Sequence, residues 1–172
     1  MDDQVVRQDN MGYVEWLVAK KPSILMNFLK ILCIVVAVVS FLLSMASTIF
    51  LILAIVGLIG AYFTNLYSQI EYEYLYCERE LSVDRIMNKS KRKNVGKFTV
   101  ERMEILAPLN SYHLDEYKNK TYKNVDLSSG VAEQPEKRYV FYYDGRDRVV
   151  IEPNAEIVKE IKNIAPRKVF TD

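Results

Sequence analysis

Cysteine, histidine, glycine and proline are scarce in these 172 residues, at two, one, six and five. Cys33 and Cys77 are too few for a disulfide framework or a cysteine zinc site and read as isolated, buried or half-buried thiols. His113 is the lone histidine; with Asp115 close by it would still need a serine from elsewhere, and no nucleophile-elbow pattern supplies one. Neither GxxxxGK[ST] nor GxGxxG occurs, which removes the phosphate cradles of nucleotide hydrolases and dinucleotide-binding domains. The paired carboxylates Glu71 and Glu73 alternate along one strand face and read as a solvent-facing row. No cofactor, metal or catalytic constellation follows, so the expectation is a protein that is not an enzyme. A net charge of +1 gives no cationic excess for a nucleic-acid partner. With half the residues hydrophobic, disorder and collagen-like structure are excluded as well.

The most telling absence is of charge between Lys30 and Glu71: residues 31–70 contain no Asp, Glu, Lys or Arg. As one straight helix this run would reach about 60 Å at 1.5 Å per residue, twice the ~30 Å hydrocarbon core of a bilayer. Folded once, it gives two spans of matching length. The fold point is the polar stretch Ser44-Met45-Ala46-Ser47-Thr48, which predicts helices over 24–43 and 48–67. Pro22 and Ser23 suit a helix start. Trp16, Tyr62 and Tyr67 are placed for an interfacial aromatic belt. Ser40/Ser44 and Gly57/Ala61 are small-residue pairs that allow close helix approach. They serve packing within the hairpin, or else a dimerisation face that would make the protein a homo-oligomer. Apart from Lys30 at the edge, no Asp, Glu, Lys, Arg or His lies inside the spans, which speaks against an ion pathway.

Lys20, Lys21 and Lys30 flank the start of this region and Arg79, Arg85, Lys89, Lys91, Arg92 and Lys93 follow it, whereas the connecting turn has no cation. The positive-inside rule then predicts a multi-pass protein of the cell membrane with both termini cytoplasmic. Ser44-Met45-Ala46 resembles a signal-peptide cleavage site, but the acidic start Met1-Asp2-Asp3 and the immediate second span favour a retained helix. Residues 1–23 read as a polar tail. Met11, Val14, Leu17 and Val18 in it fall near one helical face, so that a short interfacial helix is one reading and an unstructured segment the other.

From residue 70 the periodicity becomes that of strands. Runs over 70–77, 81–87, 95–100, 101–107, 122–127, 137–143 and 146–152 alternate, with Glu78-Arg79-Glu80 as the first turn, 88–94 as a basic loop and Asp144-Gly145 as a hairpin turn. Asn110–Lys120 is polar, with room for one helical turn. Tyr139, Phe141 and Tyr143 alternate with Val140 and Tyr142, so one set is expected to face outward as a site for strand addition, or to pair across the sheet. Asn154 is a good N-cap, Ile157, Val158, Ile161 and Ile164 form the stripe of a one-sided helix over 154–164, and Pro166 ends it. The predicted organisation is thus a tail over 1–23, a transmembrane hairpin over 24–69 and a cytoplasmic β domain over 70–172. The fold class is α+β, mainly antiparallel.

Seven strand-like runs closed by one helix resemble the pleckstrin-homology-like (PH-like) barrel capped by its C-terminal helix. Several segments strengthen this: Ile70-Glu71-Tyr72-Glu73-Tyr74 directly after the spans, Lys89-Ser90-Lys91-Arg92-Lys93, Met103-Glu104-Ile105-Leu106-Ala107-Pro108 and Ala165-Pro166-Arg167-Lys168-Val169-Phe170. Together they resemble an uncharacterised family of small membrane proteins from anaerobic Gram-positive bacteria, over nearly the whole chain. The resemblance implies two spans followed by a PH-like domain, and no activity.

The strongest local feature is the basic run Lys89, Lys91, Arg92, Lys93 with Lys97 behind it. Near an anionic leaflet each cation contributes about 1 kcal/mol of attraction. Three readings are open: a solvated hairpin turn, an anchor on the anionic bilayer surface, or a specific headgroup site. In PH-like domains that bind phosphorylated headgroups, the resemblance points to the first hairpin instead, and here that turn is mostly acidic. The expected function is a membrane-anchored binding or scaffold module with an unidentified protein partner. The alternatives are an anionic-lipid sensor acting through 89–97 and an auxiliary subunit of a larger membrane complex.

Overall fold

A computed structural model describes residues 13–131 and 134–172. The chain forms two compact units: one contains residues up to Lys20 together with Glu71–Ile86 and Arg92–Asp172, the other Lys21–Ile70 with Met87–Lys91.

The second unit is built on a helical hairpin. α1 runs Ile24–Leu43 and α2 Ile49–Ser68, 20 residues each, with mean hydropathies of 2.5 and 2.2. The reversal falls in the polar stretch at 44–48, where the Ser44 hydroxyl donates to the Phe41 carbonyl at 2.6 Å. The facing positions are Cys33, Ala37, Ser40 and Ser44 on α1 and Ala54, Gly57, Ala61 and Thr64 on α2; all are buried or half-buried. They alternate in steps of four and three, the 3.5-residue period of a left-handed seam. Small side chains let the backbones close in: a Cβ on Gly57 would stand 3.0 Å from the Ala37 Cβ. Polar groups in the seam are satisfied locally, since the Thr64 hydroxyl donates to the Gly60 carbonyl at 2.9 Å and Lys30 Nζ to Asn65 Oδ1 at 2.7 Å. Every other face of the pair is apolar and exposed, from Ile24 and Phe28 to Leu42, Ile49 and Phe63. A core helix of a water-soluble protein would be mostly buried, whereas 11% of α1 and 28% of α2 is.

The first unit holds two four-stranded sheets. β1 (Val14–Ala19), β2 (Ile70–Cys77), β3 (Glu80–Met87) and β4 (Lys91–Thr99) form one in that order. β5 (Met103–Pro108), β6 (Lys123–Asp126), β7 (Tyr139–Tyr143) and β8 (Asp147–Ile151) form the other, in the order β5-β7-β8-β6. α3 (Ala155–Ile164) follows, capped by the Asn154 side chain, which accepts from the Ile157 N–H at 2.9 Å, and it buries Ile157, Val158 and Ile161.

Four expectations need correction. The segment before the spans is neither interfacial helix nor tail over 14–19: it is β1, antiparallel to β2, with Val14, Trp16 and Val18 opposite Tyr76, Tyr74 and Tyr72. Over so few residues, Val14/Leu17/Val18 fits a helical face and Val14/Trp16/Val18 a strand face, and three cross-strand tyrosines decide between them. Met11, the remaining member of the helical face, lies outside the described residues. The β unit is consequently not confined to 70–172. The sheets do not close into a barrel, because the 3-10 turn Val100–Arg102 takes the chain off β4 and β5 pairs with β7. The sheets are mainly antiparallel as expected, with β6 parallel to β8 after a crossover through the 3-10 turn Tyr112–Tyr117. β7 exposes no aromatic row: Val140, Phe141, Tyr142 and Tyr143 are all buried. Val140 and Tyr142 sit in a cluster with Ile105, Ala107, Leu114 and Val150, and Phe141 and Tyr143 meet Phe98 of β4 edge to face at 5.0 and 5.2 Å.

One hydroxyl ties the sheets together. Tyr74 Oη donates to the Leu127 carbonyl at 2.7 Å and accepts from the Glu152 N–H at 3.2 Å. Burial pushes the phenol well above its ordinary range, so it stays a neutral donor. Trp16 Nε1 adds a bond from β1 to the Glu152 carbonyl at 3.0 Å.

Candidate functional site

The basic run is not one loop. Met87–Ser90 is a two-residue turn closed by Ser90 N–H to the Met87 carbonyl at 3.2 Å, with Asn88 and Lys89 both left-handed at φ 49° and 54°. Such paired positive φ values match the right-handed twist of the flanking strands. Strand β4 already begins at Lys91. Charged side chains are tolerated there because β4 is an edge of its sheet and its backbone pairs on one side.

The five cations part company. Arg92 donates to Glu73 Oε1 at 2.9 Å, and Lys97 pairs with Glu80 at 3.5 Å. Lys89, Lys91 and Lys93 are exposed. The turn itself is fastened to the helical hairpin: the Asn88 N–H donates to the carbonyl of Gln69, the residue that caps α2, at 2.8 Å. Lys89 and Lys91 therefore belong to the hairpin unit, and Arg92, Lys93 and Lys97 to the sheet unit.

Glu73 departs from the solvent-facing row expected of it: it is 3% exposed. Burial raises its carboxyl above the ordinary 4.5, the Arg92 guanidinium pulls it back down, and Glu15 and Asp84 raise it further. A carboxyl that holds its proton more tightly when folded contributes its stabilisation at acid pH. That contribution is lost as the pH climbs from 4.5 through the raised value. Arg92 limits the loss, so this exposed cation is tied to the fold through its pair with Glu73.

β4 also changes face. Asn94 bonds Ser82 and Asp84 at 2.9 and 2.7 Å, on the side of β3 opposite the buried Leu81 and Val83. Phe98, four residues on, packs into the core. An even step can join opposite faces only if the strand turns over by one residue between them. Gly96 sits there beneath the Phe98 ring, where a Cβ would come within 2.5 Å of it.

Of the four small residues expected at helix contacts, Ser40 and Gly57 are buried in the hairpin seam, while Ser44 and Ala61 flank it half-buried. Spacing rules missed Ala37 and Cys33, which meet Gly57 and Gly60 directly. His113 is occupied in packing, stacked on Phe170 at 3.7 Å and beside Tyr112 at 4.0 Å.

A feature that the sequence did not flag lies beside the second sheet. Tyr117 stacks on Tyr142 at 4.5 Å and Tyr122 tilts against it at 4.5 Å. With Lys118, Lys120, Asn124 and Arg148 they line a cavity of about 300 Å³. Burial raises the Tyr117 and Tyr122 phenols, and Tyr122 Oη is buried without a hydrogen-bond partner among the described residues. Lys118 is paired with Asp115, which leaves Lys120 and Arg148 as the cations of the rim; above a tyrosine floor these can receive an anionic group.

In comparison with known proteins, a family model described as bacterial PH-like domain (DUF6106) matches residues 10–171. No curated protein and no solved structure matches.

Proposed function

The chain belongs to the bacterial PH-like domain family DUF6106, its two apolar helices make it a membrane-associated module, and from that premise we propose that it is a non-enzymatic, membrane-anchored binding or scaffold protein. α1 and α2 cross the bilayer as a hairpin, both chain ends lie on the cytoplasmic side, and the PH-like unit offers its surface to a protein partner.

The observation that carries this reading is the pairing of β1 with β2. The chain leaves the sheet at Ala19, opposite Glu71, and re-enters it at Ile70. Had the intervening residues crossed the membrane once, the two strands would lie on opposite sides of the bilayer and could not share a ladder. The ladder excludes an odd number of crossings, and two 20-residue helices are what support the reading of two. The lysines at 20, 21 and 30 against the uncharged turn at 44–48 support the cytoplasmic orientation. For the partner, the cavity of Tyr117, Tyr122 and Tyr142 with its cationic rim fits an acidic segment.

One experiment tests both halves. Cys77 is exposed, so a membrane-impermeant maleimide should label it in inside-out vesicles and leave it unlabelled in intact cells. A cysteine introduced by Met45→Cys, at a position 97% exposed, should give the reverse. Crosslinking in the same membranes should yield a partner adduct that Lys120→Glu/Arg148→Glu abolishes. Labelling of Cys77 in intact cells removes the orientation, and an adduct indifferent to the rim charges removes the acidic partner.

A further inference from the structure

We propose that the Met87–Ser90 turn is a contact for the phosphate-bearing headgroup of an anionic membrane lipid, with Lys89 and Lys91 as its cations. The inference rests on the hairpin reading above and adds a ligand to it.

Three observations converge. First, position: Asn88 is bonded through its N–H to Gln69, which immediately follows α2. Any bilayer that accepts α2 therefore has its headgroup layer at this turn, next to the half-exposed Tyr67 in the last turn of the helix.

Second, the sorting of charge: further along β4, Arg92 is engaged by Glu73 and Lys97 by Glu80, while Lys93 is exposed but belongs to the sheet unit and not to the helix end. Lys30 is held by Asn65. Lys89 and Lys91, the two fastened at the helix end, are exposed and have no ion pair among the described residues.

Third, turn chemistry: a two-residue turn of this kind favours Asn-Gly. Asn88 fits the first position, whereas Lys89 stands at φ 54° in the second, where an L side chain is strained and glycine is not. Of the other two such turns, Asp144-Gly145 has the glycine. In Glu78-Arg79 the strained residue is engaged, since Arg79 pairs with Glu101 at 3.3 Å and its carbonyl accepts from Val100. Among the described residues Lys89 has no such compensation; one from outside accounts for a cation kept where the backbone prefers glycine.

The ligand class follows from geometry. Two ammonium groups on a convex turn make no enclosed cradle for a free anion. They gain from a surface where phosphates are dense and water is thinned by the bilayer. The source is therefore the lipid and not soluble phosphate.

The turn chemistry also supplies the test. The full-length protein in neutral detergent, offered equal amounts of phosphatidylglycerol and phosphatidylcholine, should retain the anionic lipid preferentially by native mass spectrometry. Lys89→Gly should lower that preference about fivefold, the factor equivalent to ~1 kcal/mol per lysine near an anionic surface. The same variant should unfold at an equal or higher temperature in phosphatidylcholine alone, because glycine relieves the turn. Lys89→Arg should keep the preference. The proposal is overturned by an undiminished preference in Lys89→Gly or by a lowered unfolding temperature for it. It is equally overturned if inorganic phosphate at matched ionic strength displaces the lipid. Labelling of Cys77 in the membranes from which the protein is prepared reads the hairpin orientation separately, so that failure of one reading is not mistaken for failure of the other.

Discussion

Tyr74 illustrates what a single buried polar atom does in this fold. Its hydroxyl, carried by β2 of the first sheet, is the donor to Leu127 and the acceptor from Glu152, so it satisfies two backbone groups at the ends of β6 and β8 in the second. Tyr74→Phe keeps the ring and leaves both backbone groups without their partner, which costs about 1–3 kcal/mol. The expected result is a lowered unfolding midpoint of the full chain in detergent with unchanged secondary structure; an unchanged midpoint would mean that water replaces the hydroxyl. Alternation along β2 marks Tyr72, Tyr74 and Tyr76 as one face from the sequence alone. Which of the three carries the bridge was not legible, because periodicity identifies a face and not the groups of a distant segment that meet it. Glu73 was misjudged for the related reason that its face is covered by its neighbours. Arg92 reaches back to it, and a side chain from a strand two positions away leaves no local signature.

At the scale of elements, the helical hairpin was the most legible part, since its length, fold point and ends follow from hydropathy and bilayer thickness alone. The seam was less so. Apart from Asn27, Lys30 and Asn65 near the ends, the positions of α1 and α2 are overwhelmingly apolar or small, so hydrophobic contrast cannot select a face, and the signal that remains is side-chain size. Ala37 opposite Gly57 and Cys33 opposite Gly60 extend the four-three alternation over several turns. Gly57→Leu should force the helices apart, because the Ala37 backbone stands at 3.2 Å from the position of an added Cβ and cannot retreat. Overpacking of this kind costs about 1–3 kcal/mol. Cysteine pairs placed across the seam would report the separation as slower disulfide formation, and an unchanged rate would place the seam elsewhere. β1 and β4 were illegible for opposite reasons. β1 is six residues long and satisfies two periods at once. β4 opens on Lys-Arg-Lys-Asn, a composition with poor strand propensity that pairing with β3 overrides.

At the scale of the whole molecule, the sequence led to a contiguous β domain after the spans, and pairing across the hairpin makes that domain discontinuous. Nothing in a linear pattern distinguishes a strand that precedes two helices from a leader, since the partner of β1 lies more than fifty residues away. The arrangement implies that the PH-like unit cannot be excised by cutting after α2. A fragment over 71–172 leaves β2 with an unpaired edge whose alternate side chains, Tyr72, Tyr74 and Tyr76, are large aromatics, an invitation to intermolecular pairing. The register offers a remedy, for Ala19 stands directly opposite Glu71. Two strands with facing ends need only a two-residue turn. Replacing residues 20–70 by Asn-Gly should convert β1 and β2 into a simple hairpin and give a soluble monomer that unfolds cooperatively, with β-rich circular dichroism. The fragment over 71–172 should aggregate under the same conditions. The graft keeps the bond from Trp16 to Glu152 and loses the stacking of Lys20 on the Tyr72 ring, which lies 5.9 Å away. Some fraying at that end is therefore expected as faster amide exchange near Tyr72, with the Tyr74 and Tyr76 amides staying protected. If the fragment over 71–172 folds as well as the graft does, β1 contributes nothing to the unit, and the proposed topology loses the support that the pairing of β1 with β2 lends it.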